Sequence, residues 1–253
     1  MTISPMLARL AAEQATGALL RDRGTLYLAD GQVVHAESPA APGIDVLLTA
    51  GGRLPAEGWR DALDQAGPFG RVGRYLVDSG RVSGGELEIC HLGALYDAAF
   101  FVLAPSSGPT RFRYGVAHWI GTVRPVPAEA VARETLRRRL LLDRLWAHPE
   151  TDTTPVVRTP RALDIPVAPR QRDVLDLADG VRTPGDIARV LGRPAFHTLV
   201  DVRRLAAAGI VETPRPRARA SPPPAAPVLF AETPADPDIA LLRRVRDALE
   251  ATL

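Results

Sequence analysis

The sequence predicts an α+β protein in which a small antiparallel sheet with a helical insert is followed by a linking helix and a helical helix-turn-helix domain. Three observations predict this class. Strand-like runs flank a turn signal near the N-terminus, residues 43–103 have helical periodicity, and three helical segments that each end at a glycine occupy residues 169–212. Apolar residues make up 46% of the chain, which is enough for packed cores.

The first 125 residues are predicted to form one domain around the sheet. A short helix capped by Ser4 begins it, and Asp30-Gly31 is a strong signal for a hairpin turn between two strands. Strands are predicted at residues 16–21, 25–29, 32–36 and 110–114, the last of which rejoins the others. The alternation that indicates a sheet covered on one face involves Leu26, Leu28, Val33 and His35.

Residues 43–103 of this domain contain an internal repeat with an offset of 28 residues. Leu48 then aligns with Leu76, and Gly52 aligns with Gly80. Each copy is a helix, a glycine stop and a second helix. Two such copies are expected to pack as a four-helix unit whose halves bury each other.

A linking helix is predicted at residues 126–147, followed by a linker with four prolines at residues 148–167. The leucines expected to face inward are Leu136, Leu140, Leu141 and Leu145. The arginines expected to form the opposite, basic face are Arg133, Arg137, Arg138, Arg139 and Arg144.

The helix-turn-helix domain is predicted at residues 168–213, with glycine stops at Gly180, Gly192 and Gly209. The middle helix has an N-cap at Thr183, a proline in its first turn, and Asp186 three residues after the cap. The third helix, residues 194–208, carries an apolar stripe of Phe196, Leu199, Val202 and Ala206. Its other side, with Asp201 on it, is expected to face outward.

Such a module usually reads DNA or has been reused to hold a protein. The residues predicted to bind DNA are Arg193, His197, Thr198 and Arg204, which would reach base edges, and Arg215 and Arg217, which would enter a minor groove. Against DNA binding, seven arginines and six acidic residues leave residues 169–212 a net charge of only +1. The wing after Ile210 is also replaced by prolines, so this is at best a degenerate winged helix.

Two segments close the chain. Residues 214–236 are predicted to be a proline-rich disordered linker, and residues 237–253 an amphipathic helix. The apolar side of that helix needs a partner, so we expect it to dock in a groove on its own chain or on another protein. Homodimerisation is a further expectation.

The N-terminal segment ATGALLRDRGTLYLADGQVVHAES resembles the PatA-like N-terminal domain, which occurs beside bacterial response regulators and effector domains. The matching features are the "TG" before a strand, Gly24 at the start of the next, and the "DGQVVHA" hairpin. The resemblance extends to RFRYG near Tyr114. It implies a regulatory or interaction role without catalytic residues.

The second repeat copy, RVGRYLVDSGRVSGGELEICHL, resembles the cyclic di-GMP-binding N-terminal domain of pilus and secretion ATPases. This resemblance implies nucleotide binding through Arg71 and Gly73. The first copy departs from the pattern, since Gly43-Ile44-Asp45 stands where the arginine opening belongs. The opening "LADGVRT" of the helix-turn-helix is similar to that of bacterial adaptor domains that do not bind DNA.

Other classes of function find little support. A single cysteine, Cys90, excludes disulfide scaffolds within one chain, and the five histidines show no metal-ligand spacing. No catalytic motif, cofactor site, secretory signal or membrane span is recognisable. We therefore expect a non-enzymatic, cytoplasmic bacterial regulator of transcription controlled by its N-terminal domain. The alternative is a signalling adaptor that binds only proteins and senses cyclic di-GMP.

Overall fold

The N-terminal sheet has five antiparallel strands in the computed structural model, which describes residues 4–163 and 165–213. In the order β4-β1-β2-β3-β5 they are β1 (Gly17–Arg21), β2 (Gly24–Ala29), β3 (Gln32–Glu37), β4 (Arg111–Tyr114) and β5 (Val126–Pro127). Asp30 and Gly31 form the predicted hairpin turn, with φ angles of 48° and 75°. With the helices below, this sheet confirms the α+β class.

The helices of the described residues are α1 (Pro5–Ala12), α2 (Ile44–Thr49), α3 (Ala56–Ala66), α4 (Val72–Asp78), α5 (Gly84–Val102), α6 (Ala128–Leu145), α7 (Pro169–Leu177), α8 (Pro184–Val190) and α9 (Ala195–Ala207). Short 3-10 turns occur at Gly67–Phe69, Pro149–Asp152 and Pro160–Leu163. A second, two-stranded sheet consists of β6 (Val157–Arg158) and β7 (Val211–Glu212). None of the described helices is both long and apolar enough to cross a membrane.

The sheet departs from regular alternation at one point. A bulge between Tyr27 and Leu28 sets His35 opposite Tyr27, whereas an unbroken two-residue hairpin pairs Tyr27 with Val34. Leu26, Leu28 and Val33 enter the core beneath the sheet as predicted, together with α1 and α5. The expectation that His35 shares their face is wrong, because the extra residue of the bulge reverses the face on which it lies.

The two repeat copies fold as helix pairs, α2–α3 and α4–α5, that share one core. The backbone N–H of Leu54 donates to Leu48 O, and that of Val82 donates to Leu76 O, so both copies turn the corner in the same way. Equivalent positions are buried together: Leu48 and Leu76, Leu54 and Val82, Trp59 and Leu87, Ala62 and Cys90. The repeat in the sequence is thus a repeat of core positions.

The linking helix α6 is buried differently from the prediction. Its most buried residues are Val131, Thr135 and Leu142, while Leu140, expected inward, is 49% exposed. Arg138 and Arg139, expected on a solvated face, are instead partly buried against α5. The reason is that α6 packs between α5 and α9, so a single apolar stripe does not describe its contacts.

The segment predicted as a helix-turn-helix forms three helices, α7, α8 and α9, for which we keep that name, and the middle helix has the predicted cap. The Thr183 hydroxyl accepts from the Asp186 N–H, and the Asp186 carboxylate accepts from the Thr183 N–H. The three glycine stops are confirmed, with φ angles of 82°, 60° and 70°.

Residues 148–167, predicted as a linker, are folded onto the helix-turn-helix. Val156 is fully buried in its core, and β6 pairs with β7 directly after α9. The chain beyond Gly209 therefore does form a strand, although its partner comes from before α7 rather than from a hairpin wing. The predictions for residues 214–236 and 237–253 lie outside the described residues.

Candidate functional site

The N-terminal end of α9 is held by a buried carboxylate from the N-terminal half of the chain. Asp97 on α5 accepts a hydrogen bond from the backbone N–H of Phe196 at 3.1 Å. Its other oxygen accepts from Arg138 on α6 at 2.6 Å. The Arg138 guanidinium also lies over the Phe196 ring, 4.5 Å from its centroid. These three residues join α5, α6 and α9, and we call this contact the α9 junction.

The burial of Asp97 raises the pKa of its carboxyl group above the usual range, while the nearby Arg138 acts in the opposite direction. A carboxylate at this place is also favoured by the positive end of the α9 dipole. The junction is therefore a buried charge that only the paired arginine and the helix end make tolerable.

A second buried ion pair lies further along α9. Arg203 donates to both carboxylate oxygens of Asp152, at 2.8 and 2.7 Å, and also to the carbonyl oxygen of Trp146. Arg203 is almost fully buried. It ties α9 to the C-terminal end of α6 and to the segment that follows it.

The middle helix α8 contacts the N-terminal half through a third set of bonds. Arg189 donates to the carbonyl oxygens of Pro39 and Ala41. The backbone of Gly185 lies so close to Ala40 that an added Cβ would overlap the Ala40 carbonyl oxygen. The helix-turn-helix is thus seated on residues 39–41 as well as on α5 and α6.

This packing decides where the predicted DNA-binding residues lie. Thr198 is 0% exposed and Asp201 is 1% exposed, so the expectation that both lie on the outer face of α9 is wrong. The physical reason is that α9 is packed on both sides, against α5 and α6 and against α7 and α8. Asp201 is occupied by Arg170, which donates to both of its oxygens at 2.9 and 3.0 Å.

The remaining predicted residues differ in their surroundings. Arg193 is mostly buried and pairs with Asp173 at 3.0 Å, whereas His197 and Arg204 are exposed. Arg215 and Arg217 lie outside the described residues. The structure therefore does not bring the four described residues onto one open face.

The ion pair of Asp152 and Arg203 borders an open groove of about 640 Å³. Its apolar lining includes Phe100, Leu136 and the exposed Leu140. Its basic lining includes Arg23 and Arg139. We call it the α6 groove.

Charges of both signs line the α6 groove, since Arg23, Arg139 and Arg203 are accompanied by Asp143, Glu150 and Asp152, and Arg21 lies near Arg139. Burial and the proximity of Arg21 hold the pKa of Arg139 below its ordinary value, while Asp143 acts in the opposite direction and Arg23 adds to the repulsion. Within residues 4–163 and 165–213, none of Arg21, Arg23 and Arg139 forms an ion pair. Arg21 and Arg139 donate instead to carbonyl oxygens at the end of α5.

The residues that the nucleotide resemblance indicates lie at the start of α4. Arg71 is exposed and lines an open groove of about 590 Å³ with Phe69 and Arg74. Gly73 is buried, and its N–H donates to Ile120 O at 2.9 Å. Gly73 thus permits a close approach of protein backbone, not an opening for a ligand.

A cluster of aromatic rings and one carboxylate was not foreseen from the sequence. The rings of His35 and His118 have centroids 3.9 Å apart, and His91 stacks on His35 at 5.4 Å. Tyr27 and Glu37 complete the cluster, since the Tyr27 hydroxyl donates to Glu37 at 3.0 Å. The sheet, α5 and the loop at residues 115–121 all contribute to it, and we call it the histidine cluster.

The hydrogen bonds of the cluster fix its proton positions. The Ile120 N–H donates to Nδ1 of His118, so Nε2 of that ring carries the proton that is donated to Glu37 at 2.9 Å. Nε2 of His91 donates to Val34 O at 2.7 Å. The Nδ1 atoms of His35 and His91 are buried without a partner among the described residues.

Burial sets the charges in this cluster. It lowers the pKa of His35 well below its ordinary value, with His118 and His91 adding to the effect, and it also lowers the pKa of His91. The hydrogen bond from His118 lowers the pKa of Glu37, and burial together with Glu37 raises the pKa of Tyr27 to about 12. At neutral pH the cluster therefore holds uncharged His35 and His91 beside an ionised Glu37.

The sequence carries little signal for this cluster, because its three histidines are separated by 56 and 27 positions and meet only through tertiary packing. The one local cue, the pairing of Tyr27 with His35, depends on a bulge that the turn signal does not reveal.

Comparison with protein-family models, curated proteins and solved structures finds no match for this chain.

Proposed function

We propose that the protein is a non-enzymatic regulatory adaptor that binds proteins, with its helix-turn-helix serving as a packing module in place of a DNA reader. The observation that carries this proposal is the burial of α9, whose N-terminus is capped by Asp97 and whose two sides are both covered. A helix that reads a major groove must present its side chains to base edges. In this chain α9 presents chiefly His197 and Arg204.

The α6 groove supports a protein partner of defined chemistry. Leu136 and Leu140 offer an apolar surface, and Arg139, which forms no ion pair among the described residues, can pair with an acidic group of the partner. An amphipathic segment with acidic residues beside its apolar face satisfies both requirements. The resemblance to the PatA-like domain implies an interaction role of this kind. Recruitment of a partner by residues 237–253 remains a separate expectation.

Site-specific photocrosslinking tests which class of molecule is bound. A photoreactive benzoylphenylalanine is introduced at Leu140 in the α6 groove or at Arg204 on the outer face of α9, in the full chain expressed in its native cells. We expect discrete protein adducts from position 140 that resist nuclease, and no nucleic-acid adduct from position 204. The same label at the exposed Arg9 on α1, which lines neither of the grooves described above, is the matched control.

Two further measurements sharpen the result. Arg139→Ala should reduce the adducts at position 140, because it removes the charge that attracts an acidic partner. The purified protein should show no saturable binding to random duplex DNA by fluorescence anisotropy at about 50 mM salt, with or without cyclic di-GMP. Binding that weakens at about 200 mM salt and in Arg193→Ala/Arg204→Ala would contradict the adaptor and favour a transcriptional regulator.

A further inference from the structure

The histidine cluster contains a set of metal-binding atoms that the function proposed above does not use. One potential ligand atom from each of His35, Glu37 and His118 lies within 4.8 Å of the others. His35 and His118 are almost fully buried, while the side chain of Glu37 is 45% exposed. The two histidines are therefore shielded from solvent by the protein, and solvent reaches the Glu37 carboxylate.

Two observations beyond this proximity point to a ligand. Nδ1 of His35 is buried and has no hydrogen-bond partner among the described residues, which is costly unless something binds there. The neighbouring groups are also held in place, since the Tyr27 hydroxyl orients the Glu37 carboxylate and His91 is fixed by its bond to Val34 O. Outer bonds of this kind position the ligands of metal sites.

We propose that His35, Glu37 and His118 bind a zinc ion, with a water molecule at the fourth position on the solvent side. Imidazole nitrogen and carboxylate oxygen are ligands that zinc prefers, and three protein ligands with one open position are a common arrangement. The donor atoms of a tetrahedral zinc site lie roughly 3.4 Å from one another, so side-chain rotations that move the three ligand atoms by about 1 Å bring them to that spacing.

Binding has a structural consequence for the loop at residues 115–121. When zinc takes Nε2 of His118, the proton on that nitrogen is displaced to Nδ1, which then no longer accepts from the Ile120 N–H. The carbonyl oxygen of Ile120 also accepts from the N–H of Gly73, so a shift of the loop moves a hydrogen-bond partner of α4. The ring centroids of Trp119 and His118 lie 4.5 Å apart, so the fluorescence of Trp119 should change when the loop shifts.

The test uses the purified full chain without an affinity tag, stripped of metal by a chelator. Zinc is titrated in competition with a chromophoric chelator, and cobalt(II) is used as a spectroscopic substitute. We expect one zinc per chain, a change in tryptophan fluorescence and the intense visible absorption of four-coordinate cobalt. His35→Ala should lose the site, and Glu37→Gln should weaken zinc binding at least tenfold.

Matched controls separate this site from adventitious binding. His148→Ala and His197→Ala remove exposed histidines elsewhere and should leave the stoichiometry and affinity unchanged. Zinc binding that persists unaltered in Glu37→Gln, or a wild-type chain that binds no zinc, would overturn the proposal. If His35→Ala does not fold, Glu37→Gln and the cobalt spectrum of the wild-type chain still decide it. Neither result bears on the photocrosslinking at Leu140.

Discussion

Asp97 shows how a single residue acquires a role that its sequence context does not indicate. It stands in the apolar run LYDAAFFV, where an isolated acid suggests a solvated position on a helix. In the fold it is buried because α6 and α9 close over it, and it is stabilised by Arg138 and by the Phe196 N–H. Both partners come from elements far along the chain.

We predict that Asp97→Asn lowers the free energy of unfolding by about 3 kcal/mol, since it removes the buried carboxylate that pairs with Arg138 and leaves that arginine only its partly exposed partner Glu134. Urea denaturation followed by circular dichroism measures this change. The control is Asp78→Asn, which breaks the exposed i,i+4 pair with Arg74 and should alter stability by no more than about 0.5 kcal/mol. Equal losses in the two variants would show that the α9 junction contributes nothing particular to stability.

At the scale of elements, α8 and α9 are joined to the rest of the fold by close backbone approaches that need small residues. Gly192, with a φ of 60°, ends α8 where its Cα faces the backbone of Ala50. The sequence predicts Gly192 as a helix stop but gives no sign of the neighbour. Gly185 is similar, because a side chain is excluded there by the carbonyl oxygen of Ala40, a neighbour that only the fold reveals.

We predict that Gly185→Ala destabilises the protein by about 1–3 kcal/mol, because the new methyl group displaces α8 from the Ala40 carbonyl oxygen. Gly84→Ala is the matched control, since a Cβ there meets nothing within 4 Å. It should change stability by less than about 0.5 kcal/mol. Thermal unfolding of both variants tests this, and a neutral Gly185→Ala would mean that α8 is not held at residues 39–41.

At the scale of the whole molecule, the described residues fall in one compact unit. The cluster of buried residues that includes Phe101, Leu142 and Leu199 draws on α5, α6 and α9 alike. Two buried ion pairs, Asp97–Arg138 and Asp152–Arg203, lie at its borders. Removing α9 would expose the apolar side chains of α5 and α6 in this cluster, and removing α5 and α6 would expose those of α9. The N-terminal part of the chain and the helix-turn-helix are therefore energetically coupled.

We predict that both halves unfold in a single transition. Cys90, buried in the repeat core, reports on α5 through its reactivity with a thiol reagent. Trp146, packed against the helix-turn-helix core, reports on the second half in a Trp59→Phe/Trp119→Phe variant. The two probes should give the same denaturant midpoint. A fluorescence transition of Trp146 well before Cys90 becomes reactive would show an independent helix-turn-helix.

Short stretches of sequence specify the parts of this protein that depend on near neighbours. The hairpin at Asp30-Gly31, the cap at Thr183, the glycine stops and the repeat of buried positions all follow from local backbone preferences and periodicity. Such features are specified within about 30 residues, so their signal survives in a single chain.

Which faces are covered and which distant residues meet depends on the packing of the whole fold. The bulge at Tyr27 moved His35 to the other face of the sheet, and the packing of α5 and α6 on α9 buried Thr198. The histidine cluster and the α9 junction arise in the same way, from groups far apart in sequence. The physical reason is that burial and charge pairing depend on the full set of neighbours in space, which a pattern along one helix or strand does not contain.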